Sequence, residues 1–221
     1  MKLLLKTLIA FLLGMIITGA MLFLPAGTWD YPGAWLFMAL LFTPVLLMGI
    51  VLMVKNPELL RKRLEMKERE KEQRGVVAIS GLLLVSSFIV AGLDYRFSWS
   101  HVSIVVVVVA SVVLLIGYAL YAEVLRENTW LSRTIEVQEG QKVISTGLYG
   151  IVRHPMSLAT LLMFLPMPLI LQSLWGLIPF ALYPVAIVVR IVNEEKVLTE
   201  GLEGYAEYKT KVKYRLIPFV W

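Results

Sequence analysis

Arg153, His154, Arg190, Glu194 and Glu195 are the residues of this chain whose types and spacing suit chemistry. Arg153 and His154 precede one apolar stretch, and Arg190, Glu194 and Glu195 close a second one. Arg190 and Glu194 are four residues apart and share a helix face, whereas Glu195 points about 100° away. Cations and anions at the edge of apolar segments can gather a water-soluble ligand and a lipid at one place. The same residues also suit a plainer role, Arg153 as an interfacial anchor and Arg190 with Glu194 as an ordinary helix ion pair. Spacing alone leaves both readings open.

The elements that must position these residues are apolar. Of 221 residues, 58% are hydrophobic and only 17% are charged. Uncharged runs of spanning length recur along the chain, which implies an integral membrane protein in contact with a lipid bilayer. There are no cysteines and only two histidines, so disulfides, thiolate chemistry and a multi-histidine metal centre are excluded and no metal site is expected. The net charge of +5 does not imply nucleic acid, because the basic residues fall between apolar runs.

The runs predict an all-α membrane protein with about six transmembrane helices: Leu3–Leu24, Ala34–Val54, Val76–Leu93, Val102–Tyr121, Pro155–Leu171 and Leu174–Val192. The β-branched run Val105–Val109 reads as helix because it lies inside a span-length stretch. The first run is too long for a signal peptide and reads as an uncleaved helix. Pro166, Pro168, Pro179 and Pro184 should bend the last two spans, which form a tight hairpin turning at Gln172-Ser173. Asn56-Pro57-Glu58 starts a helix in the charged loop from Lys55 to Arg74. Thr134–Val137 and Lys142–Ser145, around a glycine turn, suggest a short hairpin. A polar helix runs from Asn193 to about Lys213. Asp94 and His101 read as loop residues without partners. With the N-terminus inside, 20 of the 21 Lys and Arg residues face the cytoplasm. Both termini are therefore expected there, with the plasma membrane as the location. The chain divides into residues 1–100, which supply N-terminal spans and the charged loop, and residues 101–221, which carry the motifs.

Residues 128–221 resemble the C-terminal half of the isoprenylcysteine carboxyl methyltransferase family, which is related to the phospholipid N-methyltransferases. The resemblance rests on Gly147 and Tyr149, then Arg153-His154-Pro155, a hydrophobic hairpin, Arg190 with Glu194-Glu195, Gly201 or Gly204 before Tyr205 and Tyr208, and Pro218. Ser157 stands where the family often has Tyr, and Leu148 where Pro is usual.

The resemblance implies a methyl donor, S-adenosylmethionine, that leaves as S-adenosylhomocysteine. It also implies a lipophilic small-molecule or prenylated acceptor entering from the bilayer. On this resemblance Tyr149, Arg153, His154 and Pro155 cradle the donor. Glu195 holds its ammonium or ribose, and Tyr205 and Tyr208 close over the adenine. Arg190, held by Glu194, orients the acceptor. A carboxylate acceptor needs no base, whereas an amine acceptor would give its proton to Glu194 or His154. The alternatives are a phospholipid amine N-methyltransferase, a nicotinamide-dependent membrane reductase of similar architecture, or a non-enzymatic structural or transport protein. The uncharged mid-membrane segments argue against an ion pathway.

Overall fold

In a bilayer every backbone N–H and C=O must be satisfied within the chain, so apolar runs of this length become helices. The computed structural model describes residues 2–64, 71–131 and 137–221, and among them all regular structure is helical. Four long helices come first: α1 (Lys2–Ala26), α2 (Pro32–Lys55), α4 (Lys71–Phe97) and α5 (Ile104–Glu127). The short α3 (Pro57–Arg63) follows α2 directly, capped by the Asn56 side chain, which accepts from the Leu59 N–H at 3.0 Å. The valine run lies inside α5, whose start is capped by Ser103.

The last two apolar runs are broken where the prolines fall. The first becomes α6 (Pro155–Phe164) and α7 (Met167–Ile170), and the second becomes α8 (Leu177–Phe180) and α9 (Tyr183–Gly201). Among the described residues, five helical segments are long and apolar enough to cross a membrane, the last being Leu177–Gly201. Pro155–Ile170 is shorter than these, so the expected fifth span is a short, interrupted helical segment packed among the five longer ones. The turn between α7 and α8 occupies Leu171–Gly176 rather than two residues, with Gln172 at φ +60°. The polar tail forms α10 (Tyr205–Lys211). The expected surface hairpin is not seen: Thr134–Glu136 lie outside the described residues, and no strand occurs among the described ones. What remains is a tight turn, with the Gln141 N–H donating to the Gln138 carbonyl and Gly140 at φ +72°.

One buried core joins α1, α2, α4, α5 and α7 through Leu22, Phe37, Phe88, Leu114, Met167 and Ile170. At the end of the bundle remote from the N-terminus, polar groups replace this apolar packing. The Tyr31 hydroxyl donates to the Leu171 carbonyl at 2.5 Å, and its ring stacks on Tyr95. Asp94 corrects the sequence expectation, because it is buried rather than in a loop without partners. It accepts from Ser100 N–H, Ser100 Oγ and Ser173 Oγ at 2.8, 2.6 and 2.5 Å. These bonds pin the α7–α8 turn to the end of α4.

α6 packs most closely on α5 because Gly117 removes a side chain at the crossing. A Cβ there would lie 2.7 Å from Met163 Cγ and 2.8 Å from the Met163 nitrogen. Gly117→Ala should therefore destabilise the protein by about 1–3 kcal/mol through overpacking. Gly49, whose Cβ position meets nothing within 4 Å, should tolerate alanine with a small gain from helix propensity. Thermal unfolding of the two variants in detergent checks both outcomes.

Candidate functional site

The site begins at the end of α5 and is folded by a one-turn helix at Gly147–Gly150. Gly147 sits at φ +51°, and a Cβ there would overlap the Glu127 carboxylate, so this position requires glycine. Glu127 in turn accepts from the Leu148 N–H at 3.0 Å. The turn buries Tyr149. Its hydroxyl accepts from Asn128 Nδ2 at 3.0 Å, and its carbonyl accepts from the Tyr208 hydroxyl at 2.6 Å. Gly204, at φ +81°, lets the chain reverse into α10, which delivers Tyr205 and Tyr208 to this place.

Arg153 and His154 follow, immediately before Pro155 begins α6. Their backbone N–H groups donate to the carbonyls of Tyr214 and Arg215 at 2.9 and 2.8 Å, so the C-terminal segment runs alongside them. Both side chains are buried. Arg153 donates from Nε to Glu195 Oε1 at 2.7 Å and from Nη1 to the carbonyls of Val212 and Lys213 at 2.7 and 2.9 Å. His154 Nε2 lies 3.3 Å from the same Glu195 oxygen. A carboxylate oxygen at that distance places a proton on Nε2. His154 Nδ1 is then turned toward Glu194, 3.8 Å from its Oε2. The second oxygen of Glu195 accepts from Arg215 Nε at 3.0 Å.

Two cavities meet at this wall. The larger, about 920 Å³, lies among α1, α2, α4, α5, α6 and α9 and is lined mostly by apolar groups. Its lining on α9 extends from Tyr183 to Glu194, about 16 Å at 1.5 Å per residue, so it occupies roughly one leaflet's depth. That depth lies in the half of the bundle holding the start of α1 and the end of α5. Its polar residues include Arg63, Tyr121, Ser157, Arg190 and Glu194. The smaller cavity, about 90 Å³, is lined by Asn128, Trp130, Lys142, Tyr205 and Tyr208, among others. Leu131, Tyr149, Arg153, His154 and Glu194 line both.

Burial pushes the phenols of Tyr149, Tyr205 and Tyr208 well above their ordinary value, Tyr208 to about 12, so all three remain hydrogen-bond donors at any working pH. The Tyr205 hydroxyl is buried on the smaller cavity and has no hydrogen-bond partner among the described residues. A buried polar atom of this kind is costly unless something completes it.

The sequence-predicted residues therefore separate by position. Tyr149, Arg153, His154 and Glu194 form the shared wall, Arg190 faces the larger cavity, and Tyr205 and Tyr208 face the smaller. Pro155 and Glu195 line neither. The Glu195 side chain is 4% exposed and engaged by two guanidiniums and an imidazole, so it holds the wall from behind. Sequence reasoning missed Asn128, Lys142 and Arg215. Asn128 ends a helix, Lys142 sits in the polar connector between α5 and the Gly147 turn, and Arg215 follows a polar tail helix. None of the three stands in a recognisable pattern. It also missed Arg63, whose guanidinium donates to the Tyr121 hydroxyl at the edge of the larger cavity.

The model of the phospholipid methyltransferase family matches residues 103–203, just under half of the chain. The matched region runs from the cap of α5 to the end of α9 and contains the shared wall together with Arg190 and Glu195. No curated protein matches the chain.

Glu195→Gln tests the wall's construction. Removing the charge leaves Arg153 buried without its counterion, which typically costs about 3–5 kcal/mol. The expected result is a lowered unfolding midpoint in detergent even without any ligand. Tyr205→Phe, which removes only an unpartnered hydroxyl, should leave that midpoint unchanged or raised.

Proposed function

We propose that the chain is an integral membrane methyltransferase that uses S-adenosylmethionine and methylates a lipophilic acceptor. The observation that carries this reading is the meeting of the two cavities at the Tyr149–Arg153–His154–Glu194 wall. One is a small pocket of mixed lining that gathers several polar side chains, and the other is an apolar chamber of one leaflet's depth. A donor soluble in water and an acceptor soluble in oil can be brought together at such a boundary. The charge pattern supports an orientation with both termini and the wall on the cytoplasmic side, and the plasma membrane is the location proposed for it.

The residues fit the donor chemically. The unpartnered Tyr205 hydroxyl and the Asn128, Lys142 and Glu194 side chains offer donors, a cation and an anion for a ligand with hydroxyl, carboxylate and ammonium groups. The 90 Å³ pocket alone lies below the size of ordinary ligand pockets, about 300 Å³ and upward. A bound donor therefore also occupies the junction, against His154 and Glu194. When bound, S-adenosylmethionine supplies an activated methyl group, which passes to the acceptor in one in-line displacement. The chain's own contribution is placement and field. Glu195 is compensated by Arg153 and Arg215, so it does not stabilise the cation that the reaction must discharge.

The acceptor is most like an isoprenylcysteine carboxylate. Arg190 and Arg63 on the larger cavity suit an anionic group there, and a carboxylate needs no general base. Phosphatidylethanolamine-type amine methylation is the second reading. Glu194 beside His154 at the junction, where an amine proton could be accepted, favours it. Residues 1–100 act as part of the acceptor chamber, since α1, α2 and α4 line it together with residues 101–221.

Titration of the detergent-purified protein with S-adenosylhomocysteine tests the donor: binding heat and thermal stabilisation are expected, and neither at millimolar ligand sinks the reading. A lipid extract with labelled donor then separates the acceptors, because a methyl ester is base-labile and an N-methyl product is not. Gly49 and Gly81 line the larger cavity with open space beside them. Gly49→Leu and Gly81→Leu should each spare S-adenosylhomocysteine binding while lowering methyl transfer to lipid by roughly tenfold or more, through displacement of the acceptor.

A further inference from the structure

We infer that Arg215 is a positioning residue for the donor wall: it locks Glu195 from the C-terminal segment, so that Arg153 and His154 present one fixed face to the junction of the cavities. The inference rests on the methyl-donor reading and extends it to a residue outside the matched region.

Arg215 reaches the wall twice. Its carbonyl accepts from the His154 N–H at 2.8 Å, and its Nε donates to Glu195 Oε2 at 3.0 Å. The other Glu195 oxygen already serves Arg153 and His154. Each carboxylate oxygen thus has its own partners, and the plane of the carboxylate is set by all three groups. Without Arg215, Oε2 loses that donor while buried, and the carboxylate is free to turn. Turning would carry Arg153 Nε and the His154 ring with it, because both follow Oε1. The Arg215 guanidinium is itself held over the Trp221 ring, 5.2 Å from its centroid. Trp221 is fixed in turn, its carbonyl accepting from the Leu216 and Ile217 N–H groups at 2.9 and 3.1 Å. Arg215 lines neither cavity, so it acts on a ligand only through Glu195, Arg153 and His154. Partners of this kind, one step behind the contact residues, commonly change affinity by tenfold or more when removed.

The test compares S-adenosylhomocysteine affinity by calorimetry for the full-length protein and its Arg215→Ala, Arg215→Gln and Lys211→Gln variants in detergent. Arg215→Ala should bind roughly tenfold more weakly, the order of one charge-assisted hydrogen bond. Lys211, in an exposed ion pair with Glu207, should be silent when changed. The Arg215 side chain is 35% exposed, so added guanidinium at non-denaturing concentration can reach its place and should restore much of the lost affinity in Arg215→Ala. Wild-type affinity in Arg215→Ala overturns the inference and leaves the methyl-donor reading standing. Weakened binding that guanidinium does not restore also overturns it, since that marks general loss of structure. If Arg215→Ala does not fold, Arg215→Gln decides: weaker binding supports the inference and wild-type binding overturns it. Absence of binding in the wild-type protein instead refutes the methyl-donor reading itself.

Discussion

The Glu195 carboxylate is the contact on which the rest of the site depends. It is almost completely buried and ties together three parts of the chain: α9, the Arg153–His154 turn before α6, and the C-terminal segment. Buried ion pairs usually do no more than offset their own desolvation. This one is well satisfied, because Arg153 also donates to two carbonyls and both oxygens of Glu195 are used. Such a network contributes geometry more than stability. It holds two buried cationic or ionisable side chains at the edge of a membrane chamber, where neither would otherwise remain.

The chamber lies along α6, from Met156 to Phe164, and along α9, from Tyr183 to Glu194. α6 ends after ten residues, just before Pro166, and packs against α5 at Gly117. Leu158 and Leu161 still join Tyr183, Ile187 and Ile191 in a small apolar cluster. Ser157, Thr160 and Met163 on α6, with Ala186 and Arg190 on α9, are left to line the cavity. At the other end of the bundle the Asp94–Ser173 bond closes the turn, so the opening is confined to one leaflet's depth.

Much of this was legible in the sequence, for definite reasons. Span-length apolar runs allow only helices in a bilayer, so the helical bundle and its order followed, including the valine run in α5. The convergence of Arg153, His154, Glu194 and Glu195 followed from two adjacent segments that share a turn, whereas Tyr149 was legible only through the family resemblance. The inner partners were not legible. Glu194 and Glu195 are neighbours of identical type in sequence, and a one-residue rotation on α9 decides which of them faces the junction and which faces the core. Arg215 depends on how a polar tail folds back, which no periodicity encodes. Asp94 looked like a loop residue because Ser173, the partner that buries it against the α7–α8 turn, lies beyond α5, α6 and α7 in the chain.

The distribution of charge around the junction has a consequence for the proposed reaction. Displacement at a cationic methyl donor removes positive charge as the bond breaks, so an uncompensated anion fixed next to it would stabilise the starting state and slow transfer. The wall meets this constraint by pairing. Glu195 lies behind the cavities and is shared by Arg153 and Arg215, whereas Glu194, which lines both cavities, keeps its side chain 31% exposed, where solvent weakens its field. The carboxylate with the stronger field is thus directed into the scaffold, and the weaker one faces the ligands. Holding Glu195 in that state requires a second guanidinium, and the fold supplies it only by bringing the C-terminal segment back across the start of α6. On this reading the tail belongs to the site's electrostatics as fully as the motif residues it touches.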